Sequence, residues 1–421
     1  MLAEQTNNLH DRYRWSALAL MAASYACHSI DRQVIAVVLE SIKHEYGVTD
    51  RTLGVLGGFA YTGAFALACL PMGWLVDRVN RRKLLTVLLT VWSGLTLACG
   101  FAGNFLSLLL MRMGVGFAEA GGQPTCLALI ADFFQPKERS SAIGLFYLSP
   151  AAGIAASFVI GGVVAAHWGW RAAFLVAGVP GLLIALTIFL SLREPPRGGV
   201  DHTTGSATPL LTVIRQIYAT PALLHIVVAM TLSSFTITAM WLWVTSLFVR
   251  VHHMGLSHIG LTVGLAAGCS ALGSAVAGRI GGQRAQRSLA AQLQVPLVSS
   301  LLCAACGVAL ALTPSLTVAV TFLMATAFCM GAFLGPSYSV AMTLVPAGTR
   351  GSTAALFQLL INLLGSGLGP VFTGWLSDYF GGTRGLPMAL AITLLVNLWA
   401  AFHYWIALRR AKDHFARLAA S

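Results

Sequence analysis

The sequence predicts an all-α membrane protein of twelve transmembrane helices, arranged as two six-helix bundles related by pseudo-symmetry. Three observations predict it. Of 421 residues, 57% are hydrophobic and 10% charged, with a mean hydropathy of +0.77, whereas a soluble domain carries about 25% charged residues. A membrane-crossing helix needs ~20 apolar residues, and twelve such runs with short connections consume nearly the whole chain. A short segment of the first half also returns in the second.

The expected spans run over residues 15–42, 52–76, 84–102, 105–130, 141–166 and 172–192, then 222–249, 258–280, 290–312, 316–341, 352–376 and 386–408. Residues 1–192 form the first bundle and 221–421 the second bundle with a basic tail. Between them, residues 193–220 begin rich in Pro, Gly, Ser and Thr, the composition of a linker. They end in LLTVIRQIY, which suits a short surface helix. The first apolar run follows Arg12 and Arg14 as a signal peptide would, but it is too long and contains Asp31-Arg32, so it reads as a retained span.

Nineteen of the 26 Lys and Arg residues fall in segments on the side of the two termini. Five fall on the other side: Lys43, Arg51, Arg171, Arg250 and Arg384. The asymmetry predicts cytoplasmic termini, and a bacterial inner membrane is the expected location. The net charge of +12 is spread through loops, so it is no nucleic-acid footprint. All eight cysteines lie in apolar runs, which argues against a disulfide framework. Cys303 and Cys306 make a CxxC without a second pair, so no metal is expected there, and no cofactor elsewhere.

Arg139-Ser-Ser-Ala-Ile-Gly-Leu145-Phe146 reappears as Arg350-Gly-Ser-Thr-Ala-Ala-Leu356-Phe357, at an offset of 211 residues, with Pro136 and Pro346 shortly before each arginine. With a central linker, this predicts a six-plus-six duplication. After the second span comes GWLVDRVNRR, which resembles the signature loop of the major facilitator superfamily. Asn80 stands where that pattern has glycine, and asparagine is the next residue to tolerate a left-handed turn. Met111-Arg112 to Gly116 resembles the span-four arginine motif of the same superfamily. Asp31-Arg32-Gln33, FAEAGGQP, GWRAAFLVAGVPGLLIALTIFLSLREPPRG and LLGSGLGPVFTGWLSD are similar to the spinster-like branch, whose resemblance implies lysolipid or sphingolipid substrates. Part of that likeness is shared with organic-anion and sugar-acid symporters.

Ionisable groups inside a span are expensive and mark substrate or ion paths. Four stand out: Asp31 and Arg32 in span one, and Arg112 and Glu119 in span four, seven residues apart and so on one helical face. His28 lies one turn from Asp31. Gln123 continues the span-four face, Gly116 is expected to leave space beside both charges, and Pro124 to bend the helix beyond them. A pair of structural salt bridges is the plain alternative, yet apolar packing often serves stability as well. The resemblance places all four in a central cavity. Desolvation disfavours a charged carboxylate and a neighbouring arginine favours it. Asp31 and Glu119 are therefore the candidates for proton coupling, and Arg32 and Arg112 for an anionic group on the substrate.

The second half offers neutral candidates for substrate contact: Ser233, Thr236, Trp241, Tyr338, Gln358 and Asn362. Any one of them can equally be packing. Together they suggest a cavity charged on one wall and amphipathic on the other, suited to a small polar head on an apolar body, or to a compact aromatic acid. For the loop after span two, with Gly73, Asp77, Arg78, Arg81 and Arg82, the resemblance implies a conformational latch, the plain alternative being a positive-inside stop signal. There Gly73 allows a tight exit, Asp77 accepts bonds at a helix start and the arginines meet lipid phosphates. The resemblance implies that this latch is released during alternating access.

The function expected is secondary active transport, coupled to protons, of a small amphiphilic or anionic solute by a monomer among membrane lipids. Proton-linked uptake of sugar acids or aromatic acids is the alternative. No GxxxxGK[ST] supports ATP-driven transport and no HExxH supports a membrane protease. Span five lacks the tight Gly-Pro pattern of drug antiporters. A membrane enzyme would need a nucleophile beside a base, which the four charges do not contain; a non-transporting receptor is the remaining alternative of another class.

Overall fold

The computed structural model describes residues 2–195, 210–346 and 349–420, and among these every regular element is helical. The first half comprises α1 (Leu2–Tyr46), α2 (Asp50–Gly54), α3 (Ala60–Val76), α4 (Arg81–Cys99), α5 (Phe105–Glu119), α6 (Gly122–Phe133), α7 (Pro136–Phe146) and α8 (Ser149–Ser191). The surface helix expected at the end of the linker is α9 (Leu210–Ala219); residues 196–209 of that linker lie outside the described residues. The second half continues with α10 (Pro221–His252), α11 (Leu256–Ala285), α12 (Gln294–Leu312), α13 (Leu316–Gly331) and α14 (Leu334–Thr343). It closes with α15 (Arg350–Leu360), α16 (Leu368–Phe380) and α17 (Gly385–Ala420). Two π-helical stretches, Val55–Phe59 and Ile361–Ser366, join α2 to α3 and α15 to α16.

Ten segments among the described residues are long and apolar enough to cross a membrane. One of them, Ser141–Ser191, holds two spans, because Gly169 (φ 83, ψ 170) breaks the helix in its middle. A side chain at that φ would be strained, so glycine permits the turn between spans five and six. Helix α1, carrying Asp31 and Arg32 in its interior, is the remaining span. The chain is a multi-pass membrane protein of twelve spans.

Two compact units emerge. Met1–Ile42 and Ala60–Thr204 make the first, and Lys43–Phe59 and Gly205–Ser421 the second. The first unit closes around Trp92, Leu88 and Leu89 of α4, packed with Phe134, Phe146 and Met21. The second closes around Ile226 and Met230 of α10, with Phe357 and Tyr404. The repeat is visible in these cores, because Phe146 and Phe357, separated by the offset of 211, are both fully buried anchors. In lipid there is little hydrophobic gain in bringing apolar helices together, so such close packing is what holds each unit.

Residues 43–59 join the second unit through Asp50. Its Oδ1 accepts from Lys43 Nζ at 2.5 Å and from Arg250 Nη2 at 2.8 Å, and its Oδ2 from Arg250 Nη1 and Ser377 Oγ, both at 2.6 Å. The neighbouring Asp378 carboxylate takes the backbone N–H groups of Asp50 and Arg51 at 2.9 and 2.8 Å, satisfying the first turn of α2.

The loop after span two is built differently from the expectation. Asn80 is not left-handed (φ −59, ψ 116); it is the N-cap of α4, its side-chain oxygen accepting from Lys83 N at 2.8 Å. The carboxylate at that helix start is Glu194, which accepts from the backbone N–H of Arg81 and Arg82 at 2.9 and 2.7 Å. Asp77 is exposed at the end of α3, and Gly73 sits in open space inside that helix. Arg81 pairs with Asp132, Arg82 donates to the carbonyl of Phe189, and Arg78 stacks on Trp74 at 4.2 Å.

Candidate functional site

Three helices of the first unit carry a buried polar centre. α1 contributes His28 and Asp31, α3 contributes Tyr61, and α5 contributes Arg112 and Glu119. Asp31 and Arg112 are 0% exposed, Glu119 1% and Tyr61 2%. Helix α5 aims its two charges inward because Val115, Gly116 and Ala118 share its buried side. Its start is fixed by a capping box between Asn104 and Ser107.

The charges do not pair as structural salt bridges would. Arg112 donates from Nη1 to the backbone carbonyl of Asp31 at 2.7 Å, while its Nε and Nη2 have no hydrogen-bond partner. Thr96 of α4, Arg112 and Glu119 surround the Asp31 carboxylate, yet neither of its oxygens receives a bond at hydrogen-bonding geometry. Glu119 is half satisfied. Its Oε2 accepts from the Tyr61 hydroxyl and lies 2.9 Å from His28 Nδ1, and its Oε1 has no partner. His28 thus partners Glu119 across two helices.

Tyr61 is the hub, and the sequence reading did not single it out. Its hydroxyl meets Glu119, and its ring lies under two guanidiniums, Arg32 at 5.4 Å and Arg112 at 5.5 Å, within the range of cation–π attraction. Arg32 is half-buried and, among the described residues, has no carboxylate within ion-pair distance. The space expected beside Gly116 is filled by this same tyrosine: a Cβ at Gly116 would collide with the Tyr61 backbone carbonyl. Glycine there lets span two approach span four.

The bend in span four also falls elsewhere than expected. The helix breaks at Ala120-Gly121, directly after Glu119 and one turn before Pro124, whose missing N–H cannot bond the Ala120 carbonyl. Gln123 donates to the Tyr147 hydroxyl at 2.8 Å. Tyr147 meets Tyr25 edge-on, and Tyr25 stacks on both Phe146 (4.7 Å) and His28 (5.3 Å). The buried charges of this unit therefore stand beside an aromatic stack.

In the second unit the six neutral candidates divide. Thr236 bonds Asn397 at 3.1 Å inside the core, Ser233 is buried near it, and Trp241 is buried on the same helix. Tyr338, Gln358 and Asn362 come together: Tyr338 donates to Gln358 Oε1 at 3.3 Å, and Asn362 Nδ2 to the Gln358 carbonyl at 2.9 Å. Gln358 stands at the offset of 211 from Tyr147, so each half holds a Gln–Tyr hydrogen bond with the partners exchanged. Among the described residues no three His, Cys, Asp or Glu side chains are grouped to hold a metal.

The sequence pattern of the Major Facilitator Superfamily matches residues 21–370. Over 411 residues the chain is 28% identical to an MFS-type efflux pump of Mycolicibacterium smegmatis, covering 95% of this chain and 94% of that protein. A probable L-galactonate transporter of Escherichia coli is 30% identical over 183 residues, 44% of this chain and 40% of that one. The crystal structure of a bacterial homolog of the human lysosomal transporter Spinster, in an inward-facing and unoccupied conformation, superposes with a TM-score of 0.86. It is 27% identical, and the match covers 95% of this chain and 98% of that chain.

Proposed function

Because the chain belongs to the Major Facilitator Superfamily of membrane transporters, we propose that it is a proton-coupled secondary transporter moving a small amphiphilic or anionic organic solute by alternating access. The observation that carries this reading is the Asp31 carboxylate, fully buried with no contact at hydrogen-bonding geometry, beside an Arg112 that has two donors unused. A structural ion pair would have closed that gap. Loading a proton neutralises Asp31 and leaves Arg112 to its carbonyl contact. Unloading lets the carboxylate draw on the free Nε and Nη2. Glu119 relays through Tyr61 and His28, which join it to Arg32 and to the Tyr25 stack.

Arg32 is the anion receptor in this scheme, since it lies half-buried over Tyr61 with no acidic partner within ion-pair distance among the described residues. Tyr25, Phe146 and Tyr147 take the apolar body of the solute, and Gln123 adds a polar contact. A lysolipid-like amphiphile fits this combination and agrees with the likeness to the bacterial Spinster homolog. The likeness to a galactonate transporter favours a second reading, uptake of a sugar acid or aromatic acid that uses Arg32 without the aromatic surface. The loop of Gly73, Asp77, Arg78, Arg81 and Arg82 serves as the conformational latch, on the cytoplasmic side with both termini.

The test is proton flux in vesicles containing the purified protein alone. Candidate lysolipids and organic acids should each be offered on either side of a pH gradient. A true substrate acidifies or alkalinises the lumen with the wild type. Asp31→Asn and Glu119→Gln should bind the solute but move no protons. Undiminished coupling in both variants would sink the proton role. Binding unaffected by Arg32→Gln would remove Arg32 from the receptor.

A further inference from the structure

A cavity of about 590 Å³ opens in the first unit where the start of α1, the start of α4 and the end of α8 meet. It is lined by Tyr13, Ser16, Arg82 and Arg193 on its polar side and by Leu20 and Leu190 on its apolar side. Among the described residues the lining holds two arginines and no carboxylate. Nearby acids are already engaged: Asp132 pairs with Arg81, Glu138 with Arg14, and Glu194 spends both oxygens on the first turn of α4. Arg82 gives one Nη2 bond to the Phe189 carbonyl and has a buried Nε without a partner. The Tyr13 hydroxyl accepts from Arg193 N at 2.5 Å, fixing the backbone that carries the second arginine. Leu190, beside them, is 73% exposed on the outer surface of a membrane span.

We propose that this cavity binds the phosphate of an anionic glycerophospholipid. Arg82 and Arg193 hold the phosphate, a group whose oxygens match guanidinium forks. The Ser16 hydroxyl, which donates to the Tyr13 carbonyl at 2.7 Å, keeps its oxygen lone pairs for a glycerol hydroxyl, and the first acyl carbons lie along Leu20 and Leu190. The two arginines select among lipids, because a zwitterionic headgroup would bring an ammonium that finds no counter-charge among the described lining residues. Basic pockets between the ends of spans are the ordinary form of such recognition. The proposal rests on the position of the cavity at the span ends and is independent of proton coupling.

The experiment uses the full chain in detergent, offered phosphatidylglycerol, phosphatidylcholine or inorganic phosphate. Bound lipid is counted by native mass spectrometry and stability is followed by thermal unfolding. Phosphatidylglycerol should be retained and should raise Tm, with phosphatidylcholine held about fivefold less tightly and inorganic phosphate without effect. Arg193→Gln should lower phosphatidylglycerol retention about fivefold, the attraction that one surface cation supplies, and the double variant with Arg82→Gln should lower it further. The Arg193 side chain makes no hydrogen bond among the described residues, so its single variant keeps the test valid if the double variant fails to fold. Equal retention of the two lipids, or full retention by Arg193→Gln, would overturn the proposal. Stabilisation by inorganic phosphate equal to that by phosphatidylglycerol would make this a free-anion site and defeat the lipid assignment.

Discussion

Asp31 and Asp50 are both buried aspartates beside an arginine, and they are wired in opposite ways. Asp50 receives four bonds from Lys43, Arg250 and Ser377. The Asp31 carboxylate receives none at hydrogen-bonding geometry. Burial and a neighbouring cation are therefore poor guides to function by themselves. A saturated carboxylate is a rivet: its charge is compensated in one fixed arrangement and every change costs energy. An unsaturated one beside an under-used arginine has two arrangements of comparable quality, which is what a proton-coupled step needs.

The largest expected effects separate the two aspartates. Asp31→Asn and Glu119→Gln should lower coupled flux about a hundredfold, the scale on which a proton-transfer group acts. The thermal stability of Asp31→Asn should not fall, since the carboxylate accepts no hydrogen bond and the backbone carbonyl that Arg112 uses is kept. A large loss of stability there would make Asp31 a second rivet. Asp50→Ala should do the reverse, lowering unfolding free energy by about 3 kcal/mol in a denaturant titration. That is the low end for a broken buried pair, because Lys43 and Arg250 keep part of their surface in water. A neutral Asp50→Ala would dissolve the comparison.

Smaller effects test the packing around the centre. Gly116→Ala should cost about 1–3 kcal/mol by forcing the Tyr61 backbone away, and coupling should weaken with it. Tyr61→Phe removes the hydroxyl donor of Glu119 and should cost about 1.5 kcal/mol, the lower value for a bond to a charged group. Unchanged stability in both would mean that spans two and four do not hold each other through this contact. Gly73→Ala, in open space within α3, should be neutral or stabilise by up to about 1 kcal/mol; a marked loss would show a steric need at that position.

Much of the architecture was legible in the chain because hydropathy marks spans, and charges inside apolar runs stand out. Asp31, Arg112 and Glu119 were found that way, and the structure brings them to one centre. Tyr61 escaped because a tyrosine in a span is unremarkable by composition and its partner is 58 residues away. Asp50 reads as a loop residue after Thr49, and its partners Arg250 and Ser377 lie 200 and 327 residues further on. Pro124 marks the bend, but the break lies one turn ahead of it at Ala120-Gly121, because a proline removes the bond to the carbonyl four residues earlier. The carboxylate at the start of α4 is Glu194, a residue at the far end of span six that no local pattern connects to that helix.

The π-helical stretch Val55–Phe59 ends one residue before α3 and two before Tyr61, and the two compact units divide at that same joint. A π turn carries one residue more than an α turn, and one residue corresponds to about 100° of rotation about the axis. Sliding that surplus residue past Tyr61 would swing its ring away from Glu119 while both ends of the span stayed in place. Span two would then behave as a threaded shaft, converting a displaced turn of backbone into the making or breaking of a single phenol–carboxylate bond.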